Sequence, residues 1–216
     1  MGVEAPGTKG TRPDELLALL DWKRRIFDLY HEVRTAADPK QGWDAWRNVR
    51  DELFGGHPQS PLPEVGWAEF AGLSYFPYDP ALRTVADVVA VDPESTQIGA
   101  SGGTTITFER FGRALFTLFG EPQTLDLYWL EGYGGGVFLP FADDTSGAET
   151  YAAGRYLLDT VKGADLGGDD GALVLDFNFA YQPSCAYDAR WICPLAPPAN
   201  RLGAPIRGGE RLSPAE

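Results

Sequence analysis

The stretch FADDTSGAETYAAGRYLLD, residues 141–159, gathers two carboxylates, hydroxyls, a glycine and an arginine. Thr145, Ser146 and Gly147 offer hydroxyl and backbone N–H donors suited to an anion or a carbonyl oxygen, and Arg155 supplies a charge clamp. The same residue types also build an ordinary turn, with Arg155 paired across strands to a carboxylate. Asp143 and Asp144 are adjacent, so in an extended chain they point to opposite faces and cannot flank one glycosidic bond. A second polar set interrupts ALVLDFNFAY, where Leu173, Leu175, Phe177 and Phe179 alternate with Val174, Asp176 and Asn178. If YAAGRYLLDTV pairs with that run through KGADLGGDDG, Arg155 faces Asp176 or Asn178 across a hairpin.

Other chemistry is less well supported. His57 with Ser60, or with Ser146 brought near by folding, would give a hydrolase its base and nucleophile, but no G-x-S-x-G elbow is present. GYGGGVFLPF runs into a strand pattern, whereas phosphate-binding glycines open a helix, so that motif is rejected. SGGTTITF reads as a hairpin turn. Cys185 and Cys193 lack histidines at ligand spacing and cannot complete a tetrahedral zinc site. They read as free thiols, with a local disulfide as the rival. Trp67, Phe70, Tyr75, Phe76, Tyr78, Tyr128 and Trp129 supply core, with a ligand cavity as the alternative role.

These residues need a scaffold. The spacing predicts a mobile end over 1–10, a helical attachment over 11–56 and a β-barrel-like domain over 57–212 whose last part is an irregular proline-rich arm, wrapping the sheet and fraying at RLSPAE. In the first helix Leu16, Leu19, Leu20, Lys23, Phe27 and Tyr30 form the expected apolar stripe. In the second, Asp38 caps, Pro39 starts the turn, Trp43, Trp46, Leu53 and Phe54 share a face, and Gly55 and Gly56 stop the helix. Thereafter GWAEFAGLSYF, RTVADVVAVD, STQIGA, TTITFERFGRALFTLFG, QTLDLYWLEGY, GVFLPFADD, YAAGRYLLDTV and ALVLDFNFAY read as eight or nine antiparallel strands. The fold class is mainly β with N-terminal helices (α+β): a closed barrel or split barrel, with a sandwich as alternative.

With 31 acidic against 18 basic residues the chain carries a formal charge of −13. That field repels nucleic acid and anionic membrane, and no apolar run is long enough to span a bilayer, so a cytoplasmic protein is expected.

The blocks SPLPEVGWAEFAGLSYFPYDP, FLPFADDTSGAETYAAGRYL and LDFNFAYQPSCAYDARWICPLAPPANRLGAPIRGGER, taken in order, resemble the bacterial and archaeal family of domain of unknown function 1684 over residues 22–211. Thr145, Ser146, Gly147, Glu149, Tyr151, Gly154, Arg155 and Tyr156 match its central block. Asp176, Asn178, Tyr181, Cys185, Tyr187, Cys193, Pro194 and Asn200 match its last. Ala152 and Gln182 depart from the usual glycine and asparagine. The resemblance implies a domain and no activity.

The ligand-binding set read from the residues and these blocks is Thr145, Ser146, Glu149, Tyr151, Arg155, Asp176, Asn178 and Tyr181, holding a small polar or anionic molecule. The alternatives are a flavin-dependent enzyme, by architectural analogy with flavin-binding split barrels, a hydrolase using His57, and an interaction or homodimerisation module built on the helices and the CPLAPPANRL arm.

Overall fold

The computed structural model describes residues 12–132 and 134–213. The end expected to be mobile, 1–10, and the last three residues lie outside them. Helix α1 spans Pro13–Thr35 and α2 spans Pro39–Gly56. A 3-10 helix, Glu64–Glu69, follows. Six strands come next: β1 (Arg83–Gly99), β2 (Thr105–Leu118), β3 (Glu121–Leu130), β4 (Val137–Phe141), β5 (Arg155–Asp159) and β6 (Ala172–Asp176). They form one antiparallel sheet in the order β5-β4-β3-β2-β1-β6.

The sheet curls into a half-barrel. Just beyond β6 the chain returns to the far edge, where Tyr181 and Tyr156 of β5 exchange main-chain hydrogen bonds of 2.8 and 3.0 Å. This small bridge, rather than a further strand, links the two sheet edges.

Several expectations are corrected by this topology. GWAEFAGLSYF is no strand: its first part winds into the 3-10 helix that Pro63 precedes, and Gly72 at φ 111° interrupts the rest. RTVADVVAVD and STQIGA are one strand with an irregularity between Ala90 and Glu94. Past Asp87 the outer edge of β1 has no strand partner among the described residues, and the exposed Asp92, Pro93 and Glu94 blunt it against further pairing. β5 begins only at Arg155, because Gly154 sits at φ 93°, where a Cβ would fall 2.5 Å from the Phe141 carbonyl oxygen. β6 stops at Asp176, whose carboxylate accepts the Asn178 N–H at 3.0 Å and caps a 3-10 turn over Phe177–Phe179. Among the described residues the count is therefore six strands and not eight or nine.

The core lies between α2 and the concave sheet. Asp38 accepts the Lys40 N–H at 2.9 Å, Pro39 opens α2, and Trp43, Trp46, Leu53 and Phe54 are buried as their spacing predicts. Trp46 packs on Phe179, while Trp43 donates to the Asn178 carbonyl at 2.9 Å. A smaller aromatic cluster, Phe108, Tyr128, Phe138 and Tyr156 with Ile98, lies under the C-terminal arm, and the Tyr156 hydroxyl donates to the Pro194 carbonyl.

α1 departs from expectation. Ile26, Leu29 and Tyr30 are its buried residues, whereas Leu16, Leu19, Leu20 and Phe27 of the predicted stripe face outward. The arm is irregular as expected, yet it is internal: Leu202, Ile206 and Glu210 are buried. No helix among the described residues is long and apolar enough to cross a membrane.

Candidate functional site

The 143–150 segment folds onto itself. The Asp143 carboxylate accepts the Thr145 N–H at 2.7 Å and the Ile206 N–H at 3.3 Å, while the Ser146 hydroxyl accepts the Asp143 N–H at 3.1 Å. Thr145 and Thr150 hydroxyls bond each other at 2.9 Å, and Gly147 turns the chain at φ 89°. Glu149 lies outside, clasped by the Arg207 guanidinium, whose hydrogen bonds hold its carboxyl below the usual range.

Arg155 is fully buried. One terminal nitrogen reaches Asp143 at 2.9 Å and the Ile206 carbonyl at 2.8 Å. The other donates to the Gly208 and Glu210 carbonyls. Its fork thus ties the turn to the arm. The expected contact of Arg155 with Asp176 or Asn178 is not formed, because β5 and β6 stand at opposite ends of the strand order. Asp144 points away from Asp143, exposed beside Arg201.

Asp176 and Asn178 form a separate cluster. The Asn178 side chain donates to Asp176 at 2.8 Å and to the Asp79 carbonyl at 2.8 Å, and it accepts the Asp79 N–H at 2.9 Å. Burial raises the Asp176 carboxyl above its ordinary range, against Asn178 and Arg83, which lower it. Arg83 approaches Asp176 at 3.4 Å.

His57 caps the end of α2. Its Nδ1 accepts the Gln59 N–H at 3.0 Å, so the proton sits on Nε2, 3.2 Å from Asp21. The Ser60 hydroxyl is spent on the Phe54 carbonyl at 2.7 Å, and the Ser146 oxygen accepts within its own turn. Neither serine hydroxyl bonds the His57 ring, so this geometry offers no nucleophile activated by that base.

Two concavities lie close to these clusters. The first, about 80 Å³, is lined by Tyr30, Arg50, Tyr156, Tyr181 and Cys193, among others. Arg50 is buried there, bonded to Glu210 at 2.6 Å, with its guanidinium over the Trp46, Phe54 and Tyr181 rings. Its Nε has no acceptor. Space of that size suits a few waters and no organic ligand. Reading the sequence for polar sites missed Arg50 and Glu210. The available signal was position: Arg50 lies four residues after Trp46 and four before Phe54, on the apolar face of α2.

The second concavity is a groove of about 450 Å³ between the C-terminal end of α1 and strands β1 and β6. Its apolar wall includes Val33, Leu166, Val174 and Phe179, and both Arg34 and Arg83 line it. Arg34 spends Nη1 on the Asp165 carbonyl at 2.8 Å, and Arg83 spends Nη1 on Asp176. The remaining guanidinium nitrogens of both have no protein acceptor among the described residues. Asp169 lines the same groove and sets a limit on anionic charge there.

Tyr151 and the two cysteines meet beside the arm. Cys185 S–H points to the Tyr151 oxygen at 3.7 Å, and the Cys185 N–H donates to Cys193 Sγ at 3.4 Å. Both thiols are free, as read from the sequence. Burial pushes the Cys193 thiol up to about 11, leaving roughly one part in a thousand as thiolate at pH 8. Iodoacetamide should therefore label Cys185 of the native protein and spare Cys193, as peptide mass mapping would show. Equal labelling of both would overturn this. Among the described residues no group of three or more His, Cys, Asp or Glu is placed to hold a metal ion.

The sequence model described as "Protein of unknown function (DUF1684)" matches residues 68–211, two-thirds of the chain. The chain belongs to the DUF1684 family. The match starts well after residue 22, where the resemblance begins, so α1 and α2 precede the DUF1684 segment. A solution NMR structure of an uncharacterized protein of Haloarcula marismortui is similar to this chain, with a TM-score of 0.60 and 35% identity. That likeness covers 80% of this chain and 94% of the other. No curated protein matches.

Proposed function

We propose that this protein binds a small molecule with an acceptor-rich head and an apolar body in the Arg34–Arg83 groove, between α1 and the DUF1684 segment. The observation that supports it is the pairing of two arginines, each with unspent N–H donors, with an apolar wall in a groove of about 450 Å³. Concavities of roughly 300–1,000 Å³ with a few convergent polar groups are the usual form of ligand sites. A monocarboxylate fits the charge better than a polyanion, since Asp165, Asp169 and Asp176 offset the two cations.

In this reading the polar or anionic ligand stays near Asp176 and Asn178, as the sequence suggests. Those two residues position Arg83 and do not touch the ligand. Thr145, Ser146, Glu149, Tyr151 and Arg155 belong to the turn and arm, and Tyr181 to the bridge across the sheet edges.

The test starts with native against denatured mass of the purified protein, followed by titration with octanoate monitored by amide chemical shifts. Shifts should cluster on residues 33–39, 83–85 and 166–174. Arg83→Ala and Arg34→Ala should each weaken binding about tenfold, the effect of one lost charge-assisted hydrogen bond. Shifts elsewhere, or affinity unchanged in both variants, would sink the reading.

A further inference from the structure

α1 has two apolar faces, and the described residues cover only one. On the covered face Trp22 packs against the Phe54 and His57 rings, and Ile26 and Leu29 are buried. On the other, Leu16, Leu20 and Phe27 are 54, 41 and 47% exposed, and Leu17 beside them is 65% exposed. Leu16, Leu20, Lys23 and Phe27 follow the alternating four- and three-residue spacing of a coiled-coil seam. Nothing inside a lone helix requires a second seam, and exposed leucines at seam spacing are costly in water.

The charges around this seam are also unspent. Lys23, Arg24 and Asp28 make no salt bridge among the described residues, and Asp21 is exposed although it reaches His57. We infer that this face docks on α1 of a second copy of the chain, antiparallel and across a two-fold axis near residues 21 and 22. Parallel pairing would set Lys23 against Lys23 within the seam. Antiparallel pairing sets Lys23 against Leu20 of the second copy, and Leu16 against Phe27. It also brings Arg24 beside Asp21 of the second copy, twice by symmetry, and opposes the two helix dipoles.

Such a seam is short, so a reversible dimer is expected, and mass should depend on concentration. Sedimentation equilibrium of the full chain should show a monomer–dimer equilibrium within the micromolar to millimolar range. Leu16→Glu with Leu20→Glu should raise the dissociation constant roughly a hundredfold or more while changing the thermal melt of the monomer little, since both side chains are exposed. Arg24→Asp should weaken association, and the swapped pair Asp21→Arg with Arg24→Asp should restore it. A monomer at every concentration, a dimer indifferent to the seam variants, or a swapped pair no better than Arg24→Asp alone would overturn the inference.

Discussion

Replacing Arg155 by methionine should cost the fold about 3–5 kcal/mol, the penalty for breaking a buried ion pair from one side. Native stabilities are only about 5–15 kcal/mol, so the variant should be close to unfolding. The physical reason is specific. Methionine keeps much of the volume, but it leaves the Asp143 carboxylate buried without its cation. It also strips a donor from the Ile206, Gly208 and Glu210 carbonyls. Arg155→Lys keeps the charge and loses the planar fork, so it should recover part of the loss and no more. Asp143→Asn combined with Arg155→Met should cost less than the sum of the single changes, because the second removes what the first left unpaired. Urea unfolding followed by tryptophan fluorescence measures each. A loss below about 1 kcal/mol for Arg155→Met would show that the arm is held by something else. Hydrogen exchange supplies the spatial check: amides around residue 206 should lose protection before those of β2 and β3.

Arg155 also shows where sequence reasoning stops. Its charge and its place at a strand start are legible, but its three carbonyl partners lie 51–55 residues further on, in a segment with no periodicity. Strand order decides such contacts, and strand order is not written in a strand's own residues. The expected Arg155–Asp176 hairpin fails for this reason: β6 pairs with β1 and not with β5. α2 was legible in its cap, first-turn proline and apolar face, which all act within a few residues, whereas Gly55 and Gly56 stay helical and His57 ends the helix. α1 was legible as a helix and misread in orientation, since periodicity reveals an apolar face without saying which neighbour covers it. ALVLDFNFAY kept strand alternation to its end, yet Asp176 and Asn178 carried the competing turn chemistry that bends the chain after β6.

Raising the pH above 10 should unfold this protein over one to two pH units. Burial pushes the Tyr30 hydroxyl up to about 12, overcoming the opposing field of Arg50, and burial also raises Tyr75, Tyr156, Tyr181 and Tyr187. Most of these rings surround the Arg50–Glu210 pair or the Tyr156–Tyr181 bridge, so they share one fate. The sign follows from linkage: a tyrosine ionises near 10 in the unfolded chain but stays neutral in the fold, so the folded state binds more protons above that pH. Stability is therefore intact below pH 10 and falls as pH rises toward the folded values. Each such group removes up to about 1.4 kcal/mol per pH unit, and five together up to about 7, comparable to the whole stability of a domain. Urea midpoints taken at successive pH values give the slope, and phenolate absorbance gives the ionisation. The two should move together, with most of the phenolate appearing only as the near-ultraviolet circular dichroism is lost. Tyr156→Phe should reduce the slope by up to one proton while giving up its hydrogen bond to the Pro194 carbonyl. If these phenols ionise near pH 10 with native dichroism retained, they are open to water, and the aromatic closure of the half-barrel is looser than its packing indicates.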